Sequence, residues 1–145
     1  MIVIYFLLWS LLLYAMHRAA HIVPFMKKYH NDHHSQITND TYEGWNWKNF
    51  FLYFDSFDST ADQWLTEVIP TAIFSIVTAQ YWIFVFYYIW AGYIQEAIEH
   101  NNKINLYPFL TSGKWHLIHH TCPNKNYGVF TPIWDILFGT WNGDI

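Results

Sequence analysis

The chain has 145 residues, of which 53% are hydrophobic, 22% aromatic and only 12% charged, and its formal net charge is −4. That length supports one compact domain, and so few charges cannot clothe a small soluble globule or keep a chain disordered. The acidic balance excludes a basic nucleic-acid binder, and the lone Cys122 excludes an internal disulfide and every multi-cysteine zinc motif.

Residues 1–17 carry no charged side chain, and apolar character continues to Val23 apart from Arg18 and His21. A bilayer core of about 30 Å needs about 20 helical residues, so Ile2 to Val23 predicts one membrane span, ended or kinked at Pro24. With no basic opening segment and no small-residue cleavage site before Arg18, it reads as a retained helix, not a signal peptide. Arg18, Lys27 and Lys28 follow it, and the positive-inside rule then puts its C-terminal end in the cytosol. Ser35 to Ala61 is polar with scattered aromatics, which fits a helix or loop lying at the interface.

Val68 to Gln95 is uncharged over 28 residues. One helix of that length would run about 42 Å, too long for a span, and two helices of half that length would be too short. Extended outward to Asp62 and Ala97, the tract gives two arms of 18 residues that turn near Thr78-Ala79-Gln80. This predicts a helical hairpin whose two ends return to the same side. Ser59, Thr60 and Asp62 are candidate N-caps for it, and Pro70 is a candidate kink. After Asn101 the chain is turn-rich, punctuated by Pro108, Gly113, Pro123, Gly128, Pro132 and Gly139. Neither an internal repeat nor a glycine-rich phosphate loop is present.

Nine histidines stand against seven Lys plus Arg, and all nine are patterned. His17 and His21 sit in HRAAH, His30, His33 and His34 in HNDHH, and His116, His119 and His120 in HLIHH, with His100 between. On a helix, positions i, i+3 and i+4 fall within an arc of about 100°, so each cluster aims its imidazoles one way. The hairpin brings His100 to the cytosolic face that already holds the first five, beside the last three. Nine imidazoles are too many for one ion, whereas two ions with four or five nitrogens each would use them all. Imidazole suits iron, zinc, copper and nickel alike. A dinuclear site against the bilayer fits oxygen activation on a lipid chain better than hydrolysis of a soluble substrate.

These motifs resemble the fatty acid hydroxylase/sterol desaturase superfamily of membrane di-iron oxygenases. HRAAH resembles its first histidine box, HNDHH its second, QEAIEHN the box closing the hairpin and WHLIHH the last. NYG at Asn126 to Gly128, followed by WDILFGT at Trp134 to Thr140, is a further hallmark. The resemblance covers nearly the whole chain. It implies an all-α fold of integral membrane helices, one N-terminal span plus the hairpin, under a cytosolic histidine-rich di-metal cap, with residues 1–145 as a single domain. It also implies two iron ions, O2, a lipid substrate and a separate electron donor such as cytochrome b5 with its NAD(P)H reductase. Endoplasmic reticulum is the location it implies.

Two departures stand out. Members carry a further hairpin or helix before the first box, so part of the lipid-binding wall is expected to be missing or to come from a partner subunit. Glu96 stands four residues before His100, where several members have a second histidine. It is a candidate metal ligand, imidazole acceptor or bystander. Asp135 is a candidate anchor for a metal-bound histidine, or else a cap or tail-docking contact. The leading expectation is hydroxylation of a lipid C–H bond. Desaturation at the same site is the closest alternative, and a non-redox zinc-binding membrane protein or a zinc hydrolase is the rival of a different class.

Overall fold

The computed structural model describes residues 1–36 and 45–143. Among the described residues the regular structure is helical, apart from one isolated antiparallel bridge between Asn105 and Gly113. Helix α1 (Ile2–Ala20) is the one unbroken helix among them long and apolar enough to cross a membrane. It closes at His21, which keeps right-handed helical angles. Pro24 then opens helix α2 (Pro24–Gln36), where its fixed φ and missing N–H are tolerated. The proline therefore starts a helix instead of bending one.

The hairpin forms where the sequence predicts it. Its first arm runs through α3 (Phe57–Gln63), a π-helical turn Trp64–Val68 and α4 (Ile69–Thr78). The second runs through α5 (Tyr81–Ile89), a π-helical stretch Trp90–Gln95 and α6 (Glu96–Ile98). Ala79 takes a left-handed φ of 54° between them, and the Gln80 N–H closes on the Ser75 carbonyl at 3.0 Å.

The start of the first arm corrects the expected cap. Ser56 is the N-cap, its Oγ accepting from the Ser59 N–H at 3.0 Å. The Thr60 hydroxyl is already engaged, accepting from the Phe54 N–H and donating to the Phe54 carbonyl. Asp62 faces α2 and not the helix end. Pro70 stands just beyond the π turn, in the first turn of α4, and lacks the N–H that would close on Thr66.

Of the expected interfacial stretch, residues 37–44 lie outside the described residues. The remainder holds a 3-10 turn, Trp47–Phe51, docked on the second arm by Trp45 Nε1 donating to the Gly92 carbonyl at 2.6 Å and the Tyr88 hydroxyl to the Phe50 carbonyl at 2.8 Å.

The core is aromatic. Trp9, Leu13, Ile83, Tyr87 and Phe130 are essentially inaccessible, and Trp9 Nε1 donates to Thr71 Oγ1 at 2.9 Å, tying α1 to the hairpin. The C-terminal segment inserts Phe130 between α1 and the second arm, its ring 4.8 Å from Trp9 and 5.1 Å from Trp90. It passes from α7 (Lys114–Thr121) to α8 (Ile133–Leu137). Outward-facing Ile73, Ile76, Val77, Val85 and Ile89 are exposed, as are Ile2, Val3 and Ile4. Exposed apolar side chains in such number are the kind that lipid or another protein covers.

Candidate metal centre

The end of α1, helix α2, the open end of the hairpin and α7 carry all nine histidines to one place, where they sort into two groups. His17, His21, His30, His34 and His119 form one, and His33, His100, His116 and His120 the other; within each, one nitrogen per ring lies within 4.8 Å of the rest. The groups abut, with the His34 and His120 rings stacked 4.3 Å apart. The i, i+3, i+4 spacing puts each triplet on one side of its helix, and packing against the other elements then divides it between the groups. On α2, His30 and His34 face the first group and His33 the second; on α7, His119 faces the first, and His116 and His120 the second.

The five-histidine group has the geometry of a coordination sphere. The Nε2 atoms of His21 and His30 are 2.8 Å apart, those of His30 and His34 3.0 Å, those of His34 and His119 3.1 Å, and those of His119 and His21 3.1 Å. Two nitrogens each about 2.1 Å from one ion and about 90° apart around it lie about 3 Å from each other. The tautomers agree. His17 Nδ1 lies 2.8 Å from the Tyr127 carbonyl and His119 Nδ1 2.6 Å from the Lys125 carbonyl. A carbonyl only accepts, so both Nδ1 atoms carry the proton, and each neutral ring turns a bare Nε2 inward. His30 Nδ1 meets Asp62 Oδ2 at 2.9 Å in the same sense. His17 Nε2 is buried without a hydrogen-bond partner. Converging lone pairs repel one another unless a cation lies between them, so the residues present fit a metal ion.

In the four-histidine group the His116 and His120 Nε2 atoms are 2.9 Å apart. His116 Nδ1 has the Glu99 carboxylate at 3.8 Å, beyond hydrogen-bond range, and His120 Nδ1 is buried without a partner. Burial, reinforced by neighbouring imidazoles, keeps these rings neutral. It lowers His33, His116 and His119 well below the usual histidine range and brings His34 and His100 down to about 3. Neutral imidazole is the form that ligates.

The NYG turn holds the orienting carbonyls. Asn126 adopts φ 56° and is clamped on both sides, its N–H donating to the Thr140 carbonyl at 2.9 Å and its Oδ1 accepting from the Asn142 N–H at 2.7 Å. The fully buried Asp135 carboxylate accepts from the Tyr127 N–H at 2.8 Å, the Gly128 N–H at 2.7 Å and the Thr140 hydroxyl at 2.7 Å. It therefore grips the backbone that presents the Tyr127 carbonyl to His17. Glu96 is buried and belongs to neither group. Asp32 accepts from Ser56 Oγ at 3.1 Å and ties α2 to α3.

Sequence reasoning missed the roles of Asp62, Gln63, Glu67, Gln95 and Glu99. Gln63 donates to Glu67 at 2.9 Å and to Gln95 at 3.1 Å, and Gln95 donates to Glu99 at 2.8 Å. Their signal is present in the chain. Asp62, Gln63, Thr66 and Glu67 fall at i, i+1, i+4 and i+5, one polar face on an arm otherwise apolar.

Known proteins bear on this arrangement. The chain is 28% identical over 134 residues to a probable Delta(7)-sterol 5(6)-desaturase of Neurospora crassa, covering 89% of this chain and 34% of that protein. It is 27% identical over 132 residues to a Delta(7)-sterol 5(6)-desaturase of Leptosphaeria maculans, covering 91% and 34%. It is also 24% identical over 136 residues to a very-long-chain aldehyde decarbonylase of Oryza sativa, covering 89% and 21%. The chain thus spans a fifth to a third of the length of these relatives. No solved structure matches it. The family model for fatty acid hydroxylases matches residues 2–140, from the first turn of α1 through the anchor of the NYG turn, and the chain belongs to that family.

Proposed function

We propose that this chain is the membrane-embedded catalytic part of an O2-dependent di-iron oxygenase that hydroxylates a C–H bond of a lipid, of fatty acyl or sterol type. The observation that carries the reading is the convergence of nine imidazoles, four buried and five partly buried, into adjoining groups of five and four. His17, His21, His30, His34 and His119 would hold one iron, and His33, His100, His116 and His120 the other. Bound there, the pair would supply the activation of O2 that breaking an unactivated C–H bond requires.

The chain's own contribution is positioning and dryness. Carbonyls of Tyr127 and Lys125 fix two rings with their Nε2 atoms inward, which sets ligand direction before an ion arrives. His119 is fully buried and His17 and His30 nearly so, which shields these three rings from bulk water. The apolar faces of α1 and the hairpin would lie in lipid, with the histidines at the cytosolic surface, in the endoplasmic reticulum of a eukaryotic cell. Reducing electrons would come from a separate protein such as cytochrome b5 and its NAD(P)H reductase.

Two other readings have specific support. Relatives named as sterol desaturases favour removal of a second hydrogen over hydroxylation. An all-nitrogen donor set also suits zinc, as in a non-redox membrane protein. Purification under anaerobic, iron-replete conditions separates them. We expect two irons per chain, O2 uptake on adding a reductant and lipid, and in His119→Ala loss of the five-histidine group's iron together with uptake. Tightly held zinc that iron does not displace, with no O2 uptake, overturns the proposal. An alkene product in place of an alcohol selects desaturation.

A further inference from the structure

Nine imidazoles are neutral ligands, so two divalent ions would bring their whole charge into a buried site. Three carboxylates, those of Asp62, Glu67 and Glu99, line one small cavity with His17 and His30 of the first group and with His33 and His116 of the second. The cavity is about 20 Å³, room for one water. Two of its polar atoms, His17 Nε2 and Asp62 Oδ1, are buried without a hydrogen-bond partner.

Asp62 and Glu99 face imidazoles, at 2.9 and 3.8 Å. Glu67 does not. Only 6% exposed, it is held instead by neutral donors, the Gln63 amide at 2.9 Å and the Tyr87 hydroxyl. Among the described residues the carboxylates found within 4.0 Å of a basic side chain are those two, both against histidine, and neither Lys nor Arg approaches Glu67. A buried carboxylate on an apolar arm is costly unless a cation offsets it. The fold has gone to some length to place it. Glu67 lies on one π turn, and its network crosses through Gln63 to Gln95, on the other. Such widened turns shift which residues share the inner face.

We propose that Glu67 is a positioning residue that ligates neither ion. It supplies negative charge to the space between the two histidine groups once ions are there to offset that charge, and full metal loading depends on it. The inference rests on the di-metal reading above. Its counter-explanation is a neutral hydrogen-bonding role in the hairpin core, and the two make opposite forecasts. Glu67→Gln removes the charge and keeps size and hydrogen-bonding capacity, whereas Glu67→Asp keeps the charge.

The test uses the full chain in detergent or lipid nanodiscs, stripped of metal and titrated with Co(II), read by its visible absorption and by ions bound per chain. Melting of the metal-free protein is measured in parallel. Glu67→Gln should melt as the parent does when metal-free, yet bind Co(II) about 10- to 100-fold more weakly, the usual effect of losing a residue that supports a metal site from outside its ligands. Glu67→Asp should recover most of the affinity. Parent-like Co(II) binding by Glu67→Gln overturns the inference. So does a fall in metal-free melting temperature that Glu67→Asp shares, which marks a structural role. If the parent chain itself binds no Co(II), the di-metal reading fails, and that result is distinct from either of these.

Discussion

In the five-histidine group, the outer nitrogens of His17, His30 and His119 rest on the Tyr127 carbonyl, the Asp62 carboxylate and the Lys125 carbonyl, all within 2.9 Å. In the four-histidine group, the His116 nitrogen stands 3.8 Å from Glu99 and His120 Nδ1 has no partner. The side chain is the same in both, but its orientation is fixed in one and looser in the other. A ring already held in its ligating tautomer gives up less freedom when the ion arrives. The two sites should therefore differ in affinity, with the five-histidine group filling first.

The largest expected effect follows from that asymmetry. With two ions bound per parent chain, His100→Ala should leave one, retained by the five-histidine group, whose oriented rings the substitution does not touch. His119→Ala removes an oriented ligand and should empty that group. Elemental analysis of each variant, with stepwise Co(II) titration of the parent, measures this. Equal loss from both groups in His100→Ala, or a single unresolved binding step in the parent, breaks the comparison.

How much of this was legible follows the same division. Spacing alone sets each triplet on one side of its helix, because i, i+3 and i+4 share a face, though each triplet then divides between the two groups; the hairpin turn at Ala79 follows from the length of the uncharged tract. Which histidine joins which group is a matter of how α2 packs on α7, with sequence separations such as 85 between His34 and His119, and no local pattern encodes that. Asp62 misled for a related reason. A carboxylate near a helix start reads as a cap by propensity, but Thr60 and Ser56 satisfy the backbone there, leaving Asp62 to pair with His30 across 32 residues. Asp135 was readable as an anchor, though it acts on backbone N–H groups and only through them on His17.

A medium effect should come from the turn that makes the difference between the groups. A Cβ on Gly128 would stand 2.5 Å from the Thr131 carbonyl oxygen and 2.8 Å from Asp135 Oδ2. The first contact is with backbone and the second with the carboxylate that pins the turn, so neither yields easily. Gly128→Ala should destabilise the fold by about 1–3 kcal/mol. By displacing the Tyr127 carbonyl, it should also weaken the five-histidine site about tenfold while sparing the other. Denaturant unfolding and Co(II) titration read the two effects. Loss confined to the four-histidine site would show that the turn does not orient the first group.

The smallest effect is the response to acid. Burial, with help from neighbouring rings, holds His34 of one group and His100 of the other down to about 3, against about 6.5 in an unfolded chain. Between those values the unfolded chain binds more protons than the folded one. The stabilising contribution of these neutral rings is therefore fully present above pH 6.5 and is lost as the pH falls from there toward 3. Metal-free protein should melt progressively lower from pH 7 to pH 5. Metal-loaded protein should resist over the same range, because each proton must first displace an ion from its nitrogen. If ring orientation sets affinity, the ions should leave in two steps, with the four-histidine group emptying at the higher pH. A melting temperature flat from pH 7 to 5 would mean that burial does not hold these rings neutral, and simultaneous release of both ions would mean that the orienting carbonyls confer no advantage.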